Sequence, residues 1–357
     1  MIAVVHCGDL KISPYMNRYI ERLEKLGAEF KVYFWNREGY DYNLPENYNI
    51  FNRNSKLSKS KILKIFDFIK FRTWLVNSLK RDNPEKLIVL TTLTGLVLSR
   101  YLRKQKKEYI FDIRDYTYEH VKLFYAIEKK VIENSRFVTI SSKGFERFLP
   151  KHKYVISHNF NRNDYVQNAK FRKAQGKIRF VWNGLVRYFA FQKQYLEALK
   201  NDERFEIVYH GTGPELERFK EYCKVNDIRN VSFTGAYNNK DKTSLLQNAH
   251  ILNNAYGFLE NDWHQNAVKS LVSNRFYDGM FFHIPQIVEP DGFKSDVIRK
   301  TKIGECFYPD EDFANKLYNY YMSIDPENFD SKCEEVLKLV IKEDDEFISM
   351  VDNFIVG

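Results

Sequence analysis

Apolar runs alternate with segments of helical spacing from the start of the chain. IAVVHCG, residues 2–8, predicts a short buried strand. Tyr15 to Leu26 places Met16, Tyr19, Ile20, Leu23 and Leu26 at helical intervals, Gly27 closes that helix, and FKVYFW predicts the next strand. Strand, helix and strand in such a short span make a βαβ unit, which implies a parallel sheet. A polar loop from Asp41 to Ser60 leads into Lys61–Arg81. LIVL predicts a strand, followed by a turn at Gly95 and a helix reaching Lys107. YIFDIRD predicts a strand, Val121–Glu133 a helix, RFVTIS a short strand, Ser142 the start of a helix, and KYVISHN a last strand. Residues 1–162 thus read as one doubly wound domain.

The stretch RNDYVQNAKFRKAQGK is polar and without period, so residues 163–177 read as an interdomain linker. The pattern then restarts over 178–335. IRFVWNG, FEIVYHGTGP, NVSFTG, HILNNAY, IPQIVEP and IGECFY predict strands. Helices are predicted from Gln192–Leu199, Glu215–Asn226, Lys242–Ala249 and Ser273–Gly279. The tail from Ser331 to Ile355 has helical spacing, and 336–357 reads as a C-terminal helix. The fold expected is α/β, two Rossmann-like domains facing across a cleft with a C-terminal helix, the GT-B architecture.

Bulk properties narrow the function classes. An apolar fraction of 44% with 29 Phe and 24 Tyr excludes a disordered chain. Cys7, Cys223, Cys306 and Cys333 form no C-x-x-C pair and no zinc-finger spacing, so no metal site is expected and a reducing cytoplasm is the default compartment. The N-terminus lacks the features of a signal peptide, and the longest apolar segment, Leu87 to Leu98, is too short to span a bilayer. Charge is uneven: residues 1–165 carry 31 Lys and Arg against 18 Asp and Glu, while the remainder is mildly acidic. A basic first half suits an anionic partner, namely a membrane surface, a phosphorylated acceptor or a nucleic acid. No recognised nucleic-acid motif accompanies the charge, so nucleic acid is set aside.

Three stretches of the second half carry chemistry. NGLVRYFAFQK sets Gly184 at a strand end, then Arg187 and, six residues on, Lys193. YHGTGPE sets Gly211 and Gly213 in a turn before a helix N-terminus, a backbone geometry suited to anions. SLVSNRFYDGMFFHIPQIV sets Asn274 and Asp278 on a helix ahead of a strand. Together they resemble the nucleotide-binding domain of glycosyltransferase family 4 and its capsular-polysaccharide relatives, sharpest from Ile178 to Gly304. The resemblance implies that Arg187 and Lys193 grip the donor diphosphate and neutralise the charge left on the leaving phosphate, each worth roughly 3–4 kcal/mol. It also implies that Tyr237, in SFTGAYNN, flanks the base. Asp278 stands where the family's P-N-K-x-x-E-Y helix binds the ribose hydroxyls. The competing readings are solvated surface cations, a plain strand-to-helix turn and an Asp on a solvated helix face. Ser270 stands where many members have a glutamate touching the transferred sugar, and Glu260, Asn261, Asp262 and His264 are the nearby polar substitutes.

In the first half, YIFDIRDYTYEH resembles the family segment whose strand ends in D-x-x-D. Asp112, Arg114, Asp115 and His120 fall at or just after a strand's C-terminal end, where open α/β sheets place their sites. Asp115 is the expected acceptor-side carboxylate, with an Asp–Arg–Asp salt-bridge cluster as the equal alternative. The Gly8–Asp9 loop is a further contributor. Between Lys59 and Arg81, seven basic residues accompany a stripe of Ile62, Phe66, Ile69, Thr73 and Val76, while Phe68, Phe71, Trp74 and Leu75 lie off it. That segment is either a packed helix with a basic edge or an interfacial helix on anionic lipid.

The expected function is transfer of a sugar from a UDP- or GDP-type nucleoside-diphosphate sugar to a saccharide acceptor, lipid-diphosphate-linked, in surface polysaccharide biosynthesis. The resemblance implies retention at the anomeric carbon, no metal and no separate cofactor, in the cytoplasm or on the inner membrane face. The alternatives are a catalytically silent subunit of this fold that binds polysaccharide or a partner enzyme, and a sugar-nucleotide epimerase.

Overall fold

Runs rich in Val, Ile, Phe and Tyr become strands, and the segments of helical period between them become crossovers. The computed structural model describes residues 1–55, 61–160, 162, 165, 169–257 and 265–357. The chain divides into two units: Met1–His158 with Lys342–Gly357, and Asn159–Ile341.

Unit 1 holds β1 (Ile2–His6), β2 (Phe30–Asn36), β3 (Tyr48–Asn52), β4 (Lys86–Leu90), β5 (Glu108–Ile113), β6 (Phe137–Ile140) and β7 (Tyr154–Ile156). They form one sheet in the order β3-β2-β1-β4-β5-β6-β7, with every pair parallel. Its crossover helices are α1 (Asn17–Lys25), α2 (Lys61–Asp82), α3 (Thr92–Gln105) and α4 (Lys122–Glu133). Because helices cover both faces, central strands such as β1 are buried at every position.

Three expectations for this unit are corrected. The predicted loop from Asp41 to Ser60 contains β3, whose YNIFN pattern is short and half polar; residues 56–60 lie outside the described ones. As an edge strand it gains its stability from pairing with β2 and from Phe51, 5.8 Å from Trp35. Gly95 lies inside α3 rather than at a turn, because a Cβ there would meet the Phe111 ring at 2.6 Å and only glycine lets α3 approach β5 this closely. The helix expected from Ser142 is a 3-10 turn, Lys143–Arg147, capped by the Ser142 hydroxyl accepting from the Gly144 amide at 3.0 Å.

Helix α2 also packs by the opposite stripe. Phe71, Leu75 and Leu79 are buried, with Phe71 stacked on Trp35 at 5.1 Å. Phe66 and Ile69 of the sequence-derived stripe, together with Leu63 and Ile65, are more than half exposed.

Unit 2 holds β8 (Ile178–Asn183), β9 (Phe205–His210), β10 (Val231–Gly235), β11 (Ile251–Asn253), β12 (Gln286–Val288) and β13 (Gly304–Cys306), ordered β10-β9-β8-β11-β12-β13 and parallel throughout. Its helices are α5 (Phe189–Ala198), α6 (Leu216–Val225), α7 (Lys242–Leu246), α8 (Gln265–Ser270), α9 (Asn274–Phe281), α10 (Phe293–Thr301) and α11 (Phe313–Met322). Helix α10 escapes a periodicity reading because it buries Lys294 and Ser295 beside Ile298.

Helix α12 (Pro326–Val356) begins earlier than the spacing predicts, with proline at its first position, where no amide is needed. Its first turns place Phe329, Cys333 and Leu337 in the core of unit 2. Its last turns place Phe347, Val351 and Phe354 in the core of unit 1, where Arg22 donates to both Asp352 oxygens at 2.7 and 2.5 Å. No helix among the described residues is long and apolar enough to cross a membrane.

Alanine in an open helix interior is favoured over glycine by about 1 kcal/mol. At Gly95 the contact with Phe111 reverses the sign, and Gly95→Ala is expected to cost about 1–3 kcal/mol in urea unfolding. Adding Phe111→Leu should recover part of that loss.

Candidate functional site

A parallel sheet brings the C-terminal ends of all its strands to one edge, and the loops leaving that edge can converge. In unit 2 the converging segments leave β8, β11 and β12 and enter α9 and α10. Asp278, in the second turn of α9, is buried. Its carboxylate accepts from the Asn183 amide at 2.8 Å and from Lys242 Nζ at 2.9 Å. Asn183 ends β8 and Lys242 opens α7, so three separate elements hold this carboxylate. Tyr237 lies half-buried beside them, its phenol raised by burial and by the Asp278 charge. Asn274 is exposed at the first position of α9.

One turn N-terminal to Asp278, Arg275 packs over Trp182, its guanidinium carbon 3.3 Å from the ring centroid. Tyr256, in the loop after β11, is the hub of a cationic group. The Arg275 and Arg187 guanidinium carbons lie 5.3 and 6.0 Å from its ring centroid, and Lys294 Nζ lies 3.9 Å away. Lys294 is fully buried and pairs with Glu289 at 3.0 Å; Glu289 also accepts from the Tyr256 amide at 2.8 Å. Burial by itself would raise the Tyr256 phenol, yet Arg275, Lys294, Ser273 and Arg187 together pull it down to about 8. Three cations thus surround the Tyr256 ring at this edge of the sheet.

Of the predicted cation pair, Arg187 joins this cluster and also lies over the Tyr188 ring at 4.7 Å. Lys193 is half-buried further along α5; the cations over the Tyr256 ring, among the described residues, are Arg187, Arg275 and Lys294. Loop packing by itself requires glycine at 211 and 213. A Cβ on Gly211 would meet the Gly184 carbonyl oxygen at 2.0 Å, and one on Gly213 would meet the Val186 carbonyl oxygen at 2.2 Å. The two loops are joined by the Gly184 amide donating to His210 and the Val186 amide donating to Thr212, both at 2.9 Å. Ser270 is buried at the end of α8, while Glu260, Asn261, Asp262 and His264 lie outside the described residues.

In unit 1 the predicted residues separate by burial. Asp112 and Arg114 form a fully enclosed ion pair, Nε to Oδ1 2.7 Å, at the end of β5. Tyr19 donates to Asp112 at 2.7 Å, and Arg114 donates to the Ser157 carbonyl at 2.9 Å and hydroxyl at 2.7 Å. Burial would lower the Arg114 guanidinium, but Asp112 outweighs it and keeps it charged. This pair ties β5 to α1 and to the end of β7, a structural role. Asp115 and His120 are exposed on the following loop, His120 stacking on Tyr116 at 6.1 Å. Asp9 is buried and accepts from the Arg37 and Glu38 amides at 2.9 and 3.1 Å, so it holds the turn after β2.

The same loop conceals an acidic pair that sequence spacing does not mark. Glu119 is buried, accepts from the Thr117 amide at 2.5 Å, and is pushed up to about 7 by burial, with Asp115 adding to the shift. Glu128, in α4, is pushed up to about 8 by burial and by Glu119, and both its oxygens lack a hydrogen-bond partner. A helical Glu reads as solvated from sequence; only the packing of α4 reveals that it is enclosed.

Because Glu128 holds its proton in the folded chain to about pH 8 but loses it near 4.5 when unfolded, its contribution is complete below pH 4.5 and is lost as pH rises through 8. Wild type is expected to lose on the order of a few kcal/mol between pH 5 and 9 from this group. Glu128→Gln should flatten that slope and be the more stable protein at pH 9, read by urea unfolding at each pH.

No protein-family model matches the sequence, and no curated protein matches it significantly. Solved structures do. The lipopolysaccharide outer core galactosyltransferase WaaB in its apo form aligns with a TM-score of 0.65 and 15% identity over 93% of this chain and 94% of that one. The sucrose-phosphate synthase of Thermosynechococcus elongatus gives 0.67 and 14% over 98% and 94%. Anabaena HepE in complex with UDP gives 0.66 and 10% over 99% of each chain. At such identities the likeness is one of fold: this chain has the GT-B fold of these proteins.

Proposed function

We propose that the chain is a glycosyltransferase that takes a sugar from a nucleoside-diphosphate donor held by unit 2. The observation that carries this reading is the juxtaposition, at one sheet edge, of a carboxylate held by three elements and a cationic cluster. Asp278, fixed by Asn183 and Lys242, suits a ribose diol, since a carboxylate accepts from both hydroxyls. Arg187, beside Tyr256, suits the charge that develops on the leaving diphosphate. UDP in the HepE complex makes uracil the first base to test.

Within this reading the acceptor belongs to unit 1 and is a saccharide on a lipid diphosphate, as in surface or capsular polysaccharide assembly. Support comes from the basic first half and from α2, whose Leu63, Ile65, Phe66 and Ile69 are exposed beside Lys64 and Lys70. Such a face suits peripheral docking on the inner, anionic face of a membrane. Asp115 is the acceptor-side group, and transfer proceeds with retention and without a metal.

The test is thermal-shift titration of the purified chain with UDP, GDP and CDP in EDTA, alongside Arg187→Ala and Asp278→Asn. One nucleotide is expected to raise the wild-type melting temperature by mass action, and both variants should lose most of that shift. The matching sugar nucleotide, given a lipid-diphosphate saccharide, should then yield a product of retained anomeric configuration by NMR. An inverted product removes the retaining assignment. Binding without turnover favours the silent subunit, and a changed nucleotide sugar without acceptor favours an epimerase.

A further inference from the structure

Arg275 is the one member of the Tyr256 cluster whose charge has no account so far. It is about nine-tenths buried or more, at 6% exposure, and among the described residues it makes no ion pair; its Nη1 lacks a hydrogen-bond partner. A buried guanidinium without a counter-charge is strongly destabilising. The Trp182 face compensates only in part, since a cation–π contact does not satisfy the Nη1 donors. The contact with Trp182 and the burial of the side chain do hold the guanidinium in place before any ligand arrives.

The neighbouring charges define what is missing. Lys294 and Glu289 neutralise each other. Arg187 and Arg275 remain, two positive charges 6.0 and 5.3 Å from the Tyr256 ring centroid. A diphosphate diester brings two negative charges and paired oxygens, which match two guanidiniums; a monophosphate-linked donor brings one. Lys193, a point charge elsewhere on α5, is not needed to complete the count.

We propose that Arg275 is a phosphate-binding residue of the donor site, forming with Arg187 a two-guanidinium clamp for the diphosphate of a nucleoside diphosphate. This rests on the donor-site reading of unit 2. Arg275 binds and orients the phosphate oxygens, and Trp182 positions Arg275.

Titration calorimetry of the full chain with UDP, inorganic pyrophosphate and uridine tests it, comparing wild type, Arg275→Gln, Arg275→Lys and Arg187→Ala. Arg275→Gln should weaken UDP and pyrophosphate about tenfold to a hundredfold and leave uridine unchanged. Arg275→Lys keeps the charge but loses the fork, and should fall between. In wild type, pyrophosphate should also raise the Tyr256 phenol, followed as phenolate absorbance near pH 8 and absent in Tyr256→Phe; this readout needs no Arg275 variant to fold. Wild-type-like pyrophosphate binding by Arg275→Gln, with Arg187→Ala impaired, overturns the clamp and leaves the glycosyltransferase reading in place. Arg275-dependent pyrophosphate binding with no nucleotide binding keeps the anion site and removes the donor reading. If wild type binds neither, both fall.

Discussion

Every strand pair in the two sheets is parallel, and that single constraint organises the chain. A parallel pair cannot be closed by a tight turn, so each strand must be followed by a crossover that returns to the starting edge. All strand ends of one polarity then share an edge, and residues far apart in sequence become neighbours there. Asn183, Lys242, Tyr256, Asp278 and Glu289 come together in unit 2 for this reason and no other.

Burial then sorts the charged residues by role. Asp112 and Arg114 satisfy each other and recruit Tyr19 and Ser157, so their charges are spent on holding β5 in place. Lys294 and Glu289 do the same below the Tyr256 ring. Glu119 and Glu128 have no ion-pair partner among the described residues, and burial pushes their carboxyls up to about 7 and about 8. Arg275, among the described residues, makes no ion pair, and its Nη1 is left without a hydrogen-bond partner. The difference between a carboxyl and a guanidinium thus separates an internal acid pair from a binding group.

Close packing limits what sequence motifs mean. A glycine pair before a helix suggests phosphate approach, yet Gly211 and Gly213 leave out their side chains to admit the Gly184 and Val186 backbone. The motif and the packing demand the same residue, so the glycines alone do not mark a phosphate site. Helix α2 teaches the same lesson from the other side. Its apolar residues run around most of the circumference, and its packing is decided by which aromatics find Trp35, leaving Phe66 and Ile69 outward.

The parallel sheets, the alternation of strands and helices over most of the chain and the C-terminal helix were legible in the sequence, because hydrophobic period is a local property. The edge strand β3 was not, since its stability comes from pairing with β2 rather than from its own five residues. Arg275, Tyr256, Glu119 and Glu128 were not legible either: whether a charge or a phenol is exposed, paired or stranded depends on side chains contributed by other crossovers. Local pattern determined the elements; desolvation and long-range pairing, which exist only once the elements pack, decided which of their residues are structure and which are site.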